Sequence, residues 1–136
     1  GAVISDDKTH QKGLVLDPKV VPRMVALDSG IMSGMPPKVT AETGMDALTH
    51  NMEAYIAKMP HPLCEGIALE GIALIGQALE TAVSKPDLES RSKMLIASLM
   101  GAVAFQKGLG VVHSLAHPLV LVDIRACAMK CHYCQN

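Results

Sequence analysis

A chain of 136 residues is one domain's worth of polypeptide. Twelve lysines and arginines against 13 acids leave a net charge of −1, so there is no basic stripe to hold a phosphate backbone, which argues against nucleic-acid binding. Apolar residues make up 49% and aromatics only 2%, the composition of a helical core built from aliphatic side chains.

Gly1-Ala2-Val3-Ile4-Ser5 is too short and lacks the basic leader of a signal peptide, and Gly1 in place of Met reads as a trimmed, processed or partial chain. The longest uncharged run, Gly108 to Val122, is interrupted by His, Gly and Pro and is too short to span a bilayer. Of four cysteines, Cys64 stands alone and Cys127, Cys131 and Cys134 crowd the end. The expectation is a soluble, reduced, cytoplasmic protein with no membrane partner.

In chain order, Ala2–Ser5, Gly13–Leu16 and Val25–Asp28 read as short strands, separated by polar turns and by Pro18 and Pro22. Residues 1–38 therefore form a strand-and-loop segment, too small to be a sheet on its own. From Val39 the period is helical. A first helix spans about Thr40 to Lys58 and stops at Met59-Pro60-His61-Pro62. Pro62 opens a second, about Leu63 to Ser84, apolar over most of its circumference and so expected to be buried. Lys85-Pro86-Asp87 breaks the chain, with Asp87 as N-cap of a third helix to about Gln106. Gly108 and Gly110 close that helix, and a fourth starts at Val111 and is bent or ended by Pro118. Such helices carry more apolar surface than a lone small domain hides, so a partner surface is expected, either a further domain or a second copy in a homo-oligomer.

Two stretches carry chemistry. Asp46 and His50 are four residues apart, which on a helix places a carboxylate and an imidazole on one face. The pair can hold a divalent metal if other segments add ligands; the bland alternative is a helix with a surface histidine. His113 and His117, also four apart, follow Gly108-Leu109-Gly110.

Gly44-Met45-Asp46-Ala47-Leu48-Thr49-His50 and Gly108-Leu109-Gly110-Val111-Val112-His113-Ser114-Leu115-Ala116-His117-Pro118 resemble the two metal motifs of the iron-dependent (group III) alcohol dehydrogenases. The similarity runs from about Gly1 to Leu119. It implies a mainly α fold: part of the helical bundle that ends these dehydroquinate synthase-like enzymes, with a few short N-terminal strands left from the dinucleotide-binding half. The helical metal-binding domain would occupy 39–119. The resemblance further implies a divalent metal, Fe2+ or Zn2+, on Asp46, His50 and His113. His117 would lie near the nicotinamide as the catalytic, proton-handling residue, with Phe105 a pocket wall. The implied activity is NAD(P)-linked oxidation of a small alcohol or reduction of an aldehyde.

Two departures bear on this chain's own activity. The family's glycine-rich phosphate-binding loop has no counterpart in these residues, so NAD(P) is not expected to bind here. The family's fourth ligand belongs in a His-His-Gly stretch whose place holds Cys127. Residues 120–136 read as an out-of-frame tail: in a neighbouring frame, plausible codons for Asp123 to Asn136 give His-Pro-Gly-Leu-Cys-His-Glu-Val, close to the family's continuation. Rival readings of Cys127, Cys131 and Cys134 are an iron–sulfur motif of radical enzymes, and, for Cys131-His132-Tyr133-Cys134, a zinc half-site. The expected chain is therefore an impaired or inactive piece of a dehydrogenase, and the alternative is a non-catalytic, self-associating helical module with residual metal binding.

Overall fold

The computed structural model describes residues 2–5, 12–15 and 17–119, except for most strand side chains and the side chains of 116–119. The tail readings at 120–136 lie outside these residues.

Strands β1 (Ala2–Ser5) and β2 (Lys12–Val15) pair antiparallel, Ala2 opposite Val15 and Ser5 opposite Lys12. The strand expected at Val25–Asp28 does not form; that stretch is irregular and its Met24, Val25 and Leu27 side chains are exposed. Without a neighbouring edge to supply ladder partners, strand propensity alone does not make a strand.

Among the described residues four α-helices follow: α1 (Pro37–Ile56), α2 (Pro62–Ser84), α3 (Leu88–Ala104) and α4 (Val111–Leu119). Helix α1 begins three residues before the expected Thr40, because Pro37 sits at its first position, where the missing N–H costs nothing. Helix α2 is capped by a histidine: His61 Nδ1 accepts from the Cys64 N–H at 3.3 Å, and Glu65 Oε1 accepts from the His61 N–H at 3.0 Å. Helix α3 opens on a reciprocal cap, with Asp87 accepting from the Ser90 N–H at 2.6 Å and Ser90 Oγ accepting from the Asp87 N–H at 3.3 Å. It ends at Ala104, and a 3-10 turn covers Phe105–Lys107.

Helices α1, α2 and α3 pack on one another pairwise. By length and composition alone α2 could cross a membrane. Here it is not buried all round as its apolar circumference suggested. Its buried stripe is Cys64, Ala68, Gly71, Ile75, Ala78 and Ala82, mostly small residues at alternating spacings of four and three. The larger side chains flank that stripe or face out, Leu63 being 75% exposed. Small groups on the stripe let the helix axes approach closely, so the bulky neighbours close the sides rather than fill the middle.

Among the described residues the interior has two apolar clusters. One joins Ala54, Cys64, Ala68 and Ala104, with Ile67 and Phe105 against it; the other joins Ala47, Ile75 and Ala97, flanked by Leu48, Leu74, Leu79 and Met94. Asn51, fully buried, bridges α1 and α3 by donating to the Ala47 carbonyl at 2.8 Å and the Ala97 carbonyl at 3.0 Å. It fits because Gly71 and Gly101 face it: a Cβ at Gly71 would fall 2.1 Å from Asn51 Oδ1, and one at Gly101 2.9 Å from Asn51 Nδ2. Gly101 also lets α3 close on the His50 turn of α1, where a Cβ would be 3.1 Å from His50 Cβ.

Candidate metal centre

Asp46, His50 and Glu53 occupy successive turns on one side of α1. His113 is delivered from the first turn of α4. The turn that delivers it needs Gly108, whose φ of +129° is a left-handed conformation open to glycine and strained for other residues. Gly110 is needed for a different reason: a Cβ there would lie 2.7 Å from Glu53 Oε1, so only a glycine lets α4 start against that carboxylate.

The sequence-predicted residues Asp46, His50 and His113 come together, each offering a ligand atom, with all three atoms within 4.8 Å of one another. His113 Nε2 lies 3.5 Å from Asp46 Oδ1, and His50 Nδ1 lies 3.6 Å from Asp46 Oδ2. The two imidazoles stack with centroids 4.3 Å apart, and the Phe105 ring lies 5.2 Å from that of His50. A cavity of about 230 Å³ opens beside them, lined by Asp46, His50 and Phe105 and by Met32, Met35, Met94, Leu95 and Arg91 among others.

Behind His113 stands Glu53, only 4% exposed. Its Oε2 meets His113 Nδ1 at 2.5 Å, its Oε1 accepts the Val112 N–H at 2.6 Å, and Oε2 also accepts the His113 N–H at 3.4 Å. Helix α4 therefore has a tertiary N-cap, a carboxylate from a different helix. The spacing signal for Glu53 was available, since 46, 50 and 53 recur with helical period, but a glutamate on an amphipathic helix is ordinarily read as solvated.

The electrostatics divide the two histidines. Burial lowers the pKa of His50, and the neighbouring His113 adds to this, while the Asp46 and Glu53 carboxylates work against it. For His113 the Asp46 carboxylate is the main influence and raises the pKa; burial opposes it and Glu53 adds to the rise. Burial disfavours the charged form of Glu53, but the hydrogen bonds from His113 and from the backbone of Val112, Gly110 and His113 outweigh it, and its pKa falls. The shifts thus favour the ionised form of Glu53 and the neutral form of His50.

This donor set fits a divalent metal: one carboxylate oxygen and two imidazole nitrogens, borderline ligands suited to iron or zinc, with a carboxylate behind one imidazole. His117 lies on α4, one turn beyond His113; its side chain is outside the described residues, as is Cys127.

Residues 40–122 match the family model described as the Fe-containing alcohol dehydrogenase family, C-terminal. The chain is 42% identical over 117 residues to the probable alcohol dehydrogenase EutG of Salmonella typhimurium, a match covering 85% of this chain and 30% of the relative. It is 41% identical over 118 residues to the NAD-dependent methanol dehydrogenase of Bacillus methanolicus, covering 85% and 31%. Among solved structures it is similar to sulfoacetaldehyde reductase from Bifidobacterium kashiwanohense in complex with NAD+, with a TM-score of 0.79 and 30% identity, over 86% of this chain and 32% of that one. The chain thus spans about a third of the length of these relatives. With a matched segment that contains both convergent motifs, the chain belongs to the iron-containing alcohol dehydrogenase family.

Proposed function

We propose that this chain is the metal-holding part of an NAD(P)-linked alcohol dehydrogenase, in which Asp46, His50 and His113 are the donors and His117 handles a proton at the substrate. The observation that carries the reading is the convergence of those three ligand atoms to within 4.8 Å from two distant segments. When bound, the metal, Fe2+ or Zn2+, would supply Lewis acidity toward an alcohol or carbonyl oxygen and so favour hydride exchange with a nicotinamide.

The chain's own residues do the rest. Asp46 brings negative charge to the donor set. Burial lowers the pKa of His50 and so favours the neutral imidazole, whose lone pair can bind a metal. Phe105, Met94 and Met35 give the adjoining cavity an apolar wall, which suits a small alcohol or aldehyde and limits water. Three protein donors leave positions for a fourth ligand and substrate. Exposed Leu63, Leu88, Val111 and Leu115, spread over three helices, support a further domain or a second copy packed against the bundle, and the buried free thiol of Cys64 suits a reducing cytoplasm.

Two titrations of the 136-residue chain test the reading separately. Calorimetry with Zn2+ or anaerobic Fe2+ should show one site, lost in Asp46→Ala, His50→Ala and His113→Ala. Equal binding by all four proteins would end the metal assignment. Fluorescence titration with NADH asks whether this chain holds the nicotinamide cofactor; no binding would assign that task to a longer chain or a partner and leave a self-associating, metal-holding module.

A further inference from the structure

We infer that Glu53 is the positioning residue of the centre: its carboxylate holds the His113 imidazole with Nδ1 protonated and Nε2 directed at Asp46, while anchoring the start of α4. The inference rests on the reading of Asp46, His50 and His113 as donors, and it adds a residue that neither metal motif singles out.

The chemistry is one of acceptors and donors. An ionised carboxylate only accepts, so each group aimed at Glu53 must donate. Among them are the Val112 N–H, the His113 N–H and, at 2.5 Å, His113 Nδ1. With Nδ1–H committed to Glu53, Nε2 is the nitrogen left to face the donor set, 3.5 Å from Asp46 Oδ1, and a metal bound there would take the place of any proton on Nε2. Backbone and ring are thus oriented by one group, itself buried and tied to α1. Gly110 completes the arrangement, since any side chain there would displace the carboxylate from both tasks.

Glutamine in place of Glu53 has nearly the same shape and the wrong hydrogen-bonding capacity. With its oxygen kept on the Val112 N–H, its amide N–H faces Nδ1, moves the imidazole proton to Nε2 and blocks the donor side. Outer carboxylates of this kind are worth roughly 10–100-fold in metal affinity.

The test uses Zn2+ as probe and the 136-residue chain as wild type, Glu53→Gln and Lys107→Met. Lys107 bonds Glu65 and the Tyr55 carbonyl beside the same hinge without touching Glu53, so it reports on loosening alone. Glu53→Gln should weaken Zn2+ binding roughly 10–100-fold and abolish the protected Nδ1–H resonance of 15N-labelled His113, whereas Lys107→Met should lower the melting temperature and leave affinity in place. Unchanged Zn2+ affinity and an unchanged Nδ1–H signal in Glu53→Gln would overturn the inference while the donor assignment stood. If the glutamine variant does not fold, the zinc-loaded wild type decides: coordination through Nε2 with Nδ1 protonated upholds it, and coordination through Nδ1 refutes it. A wild type that binds no Zn2+ yet shows the protected Nδ1–H would sink the metal reading and keep Glu53's hold on His113.

Discussion

Along the α1–α3 stack the helices meet through small apolar groups, Ala47, Ala68, Ala78 and Ala97 among them, whereas α4 is joined to α1 through a buried carboxylate and the N–H groups it accepts from. Apolar contact is proportional to area and indifferent to direction, so the stack tolerates half-buried leucines and methionines at its margins. A buried anion is not indifferent. It has a few specified donors, and it penalises any arrangement that leaves them unmade. The first kind of packing sets how near the helices come; the second sets which way one imidazole points.

The largest effect expected from breaking the contrast is at the polar seat. Glu53→Ala leaves the Val112 N–H and His113 Nδ1 without their acceptor, and should cost on the order of 3 kcal/mol and release α4. Thermal unfolding with hydrogen exchange at residues 111–115 measures both; a protected α4 in the variant would show that the carboxylate does not seat it.

A somewhat smaller loss tests the stack. In Gly71→Ala the new Cβ falls 2.1 Å from Asn51 Oδ1, and Asn51 is held by two carbonyls and cannot swing aside. Overpacking of this kind costs about 2 kcal/mol. The same substitution at Gly66, where nothing lies within 4 Å, should be neutral or slightly stabilising. Equal melting temperatures for the two variants would mean that Asn51 is not a fixed wedge.

The smallest effect sharpens the comparison through pH. Lys107, its side chain 1% exposed, bonds Glu65 at 2.9 Å and lowers the pKa of that carboxylate below its ordinary 4.5. A depressed folded value means that the contribution is present above the unfolded value and lost as pH falls through the folded one. Lys107→Met should therefore lower the melting temperature at neutral pH, and its deficit against wild type should shrink on acidification below 4.5. A deficit that stays constant down to low pH would remove the ion pair from the account.

The residues themselves carried much of the local architecture. Pro62 and Asp87 mark helix starts because a missing N–H and a short carboxylate act within one turn. The helical spacing of Asp46 and His50 made them a candidate pair, since i and i+4 share a face in any α-helix. Periodicity alone did not say that the stripe of α2 would be alanines and glycines, because that depends on how closely a neighbour approaches. Nor could propensity say that Val25–Asp28 would remain irregular, because strand formation needs a partner edge.

The meeting of Asp46 with His113, and the role of Glu53, were decided only by the tertiary structure. Glu53 reaches the Val112 N–H across 59 residues of sequence, and no local preference acts over that range. What brings them together is the close crossing of α1 and α3 at Gly101 and the turn at Gly108, which place α4 where its first N–H groups find a buried carboxylate. Local hydrogen bonding and helical period are written in neighbouring residues. Which of two imidazole nitrogens faces Asp46 depends on a group from another helix, and folding alone supplies it.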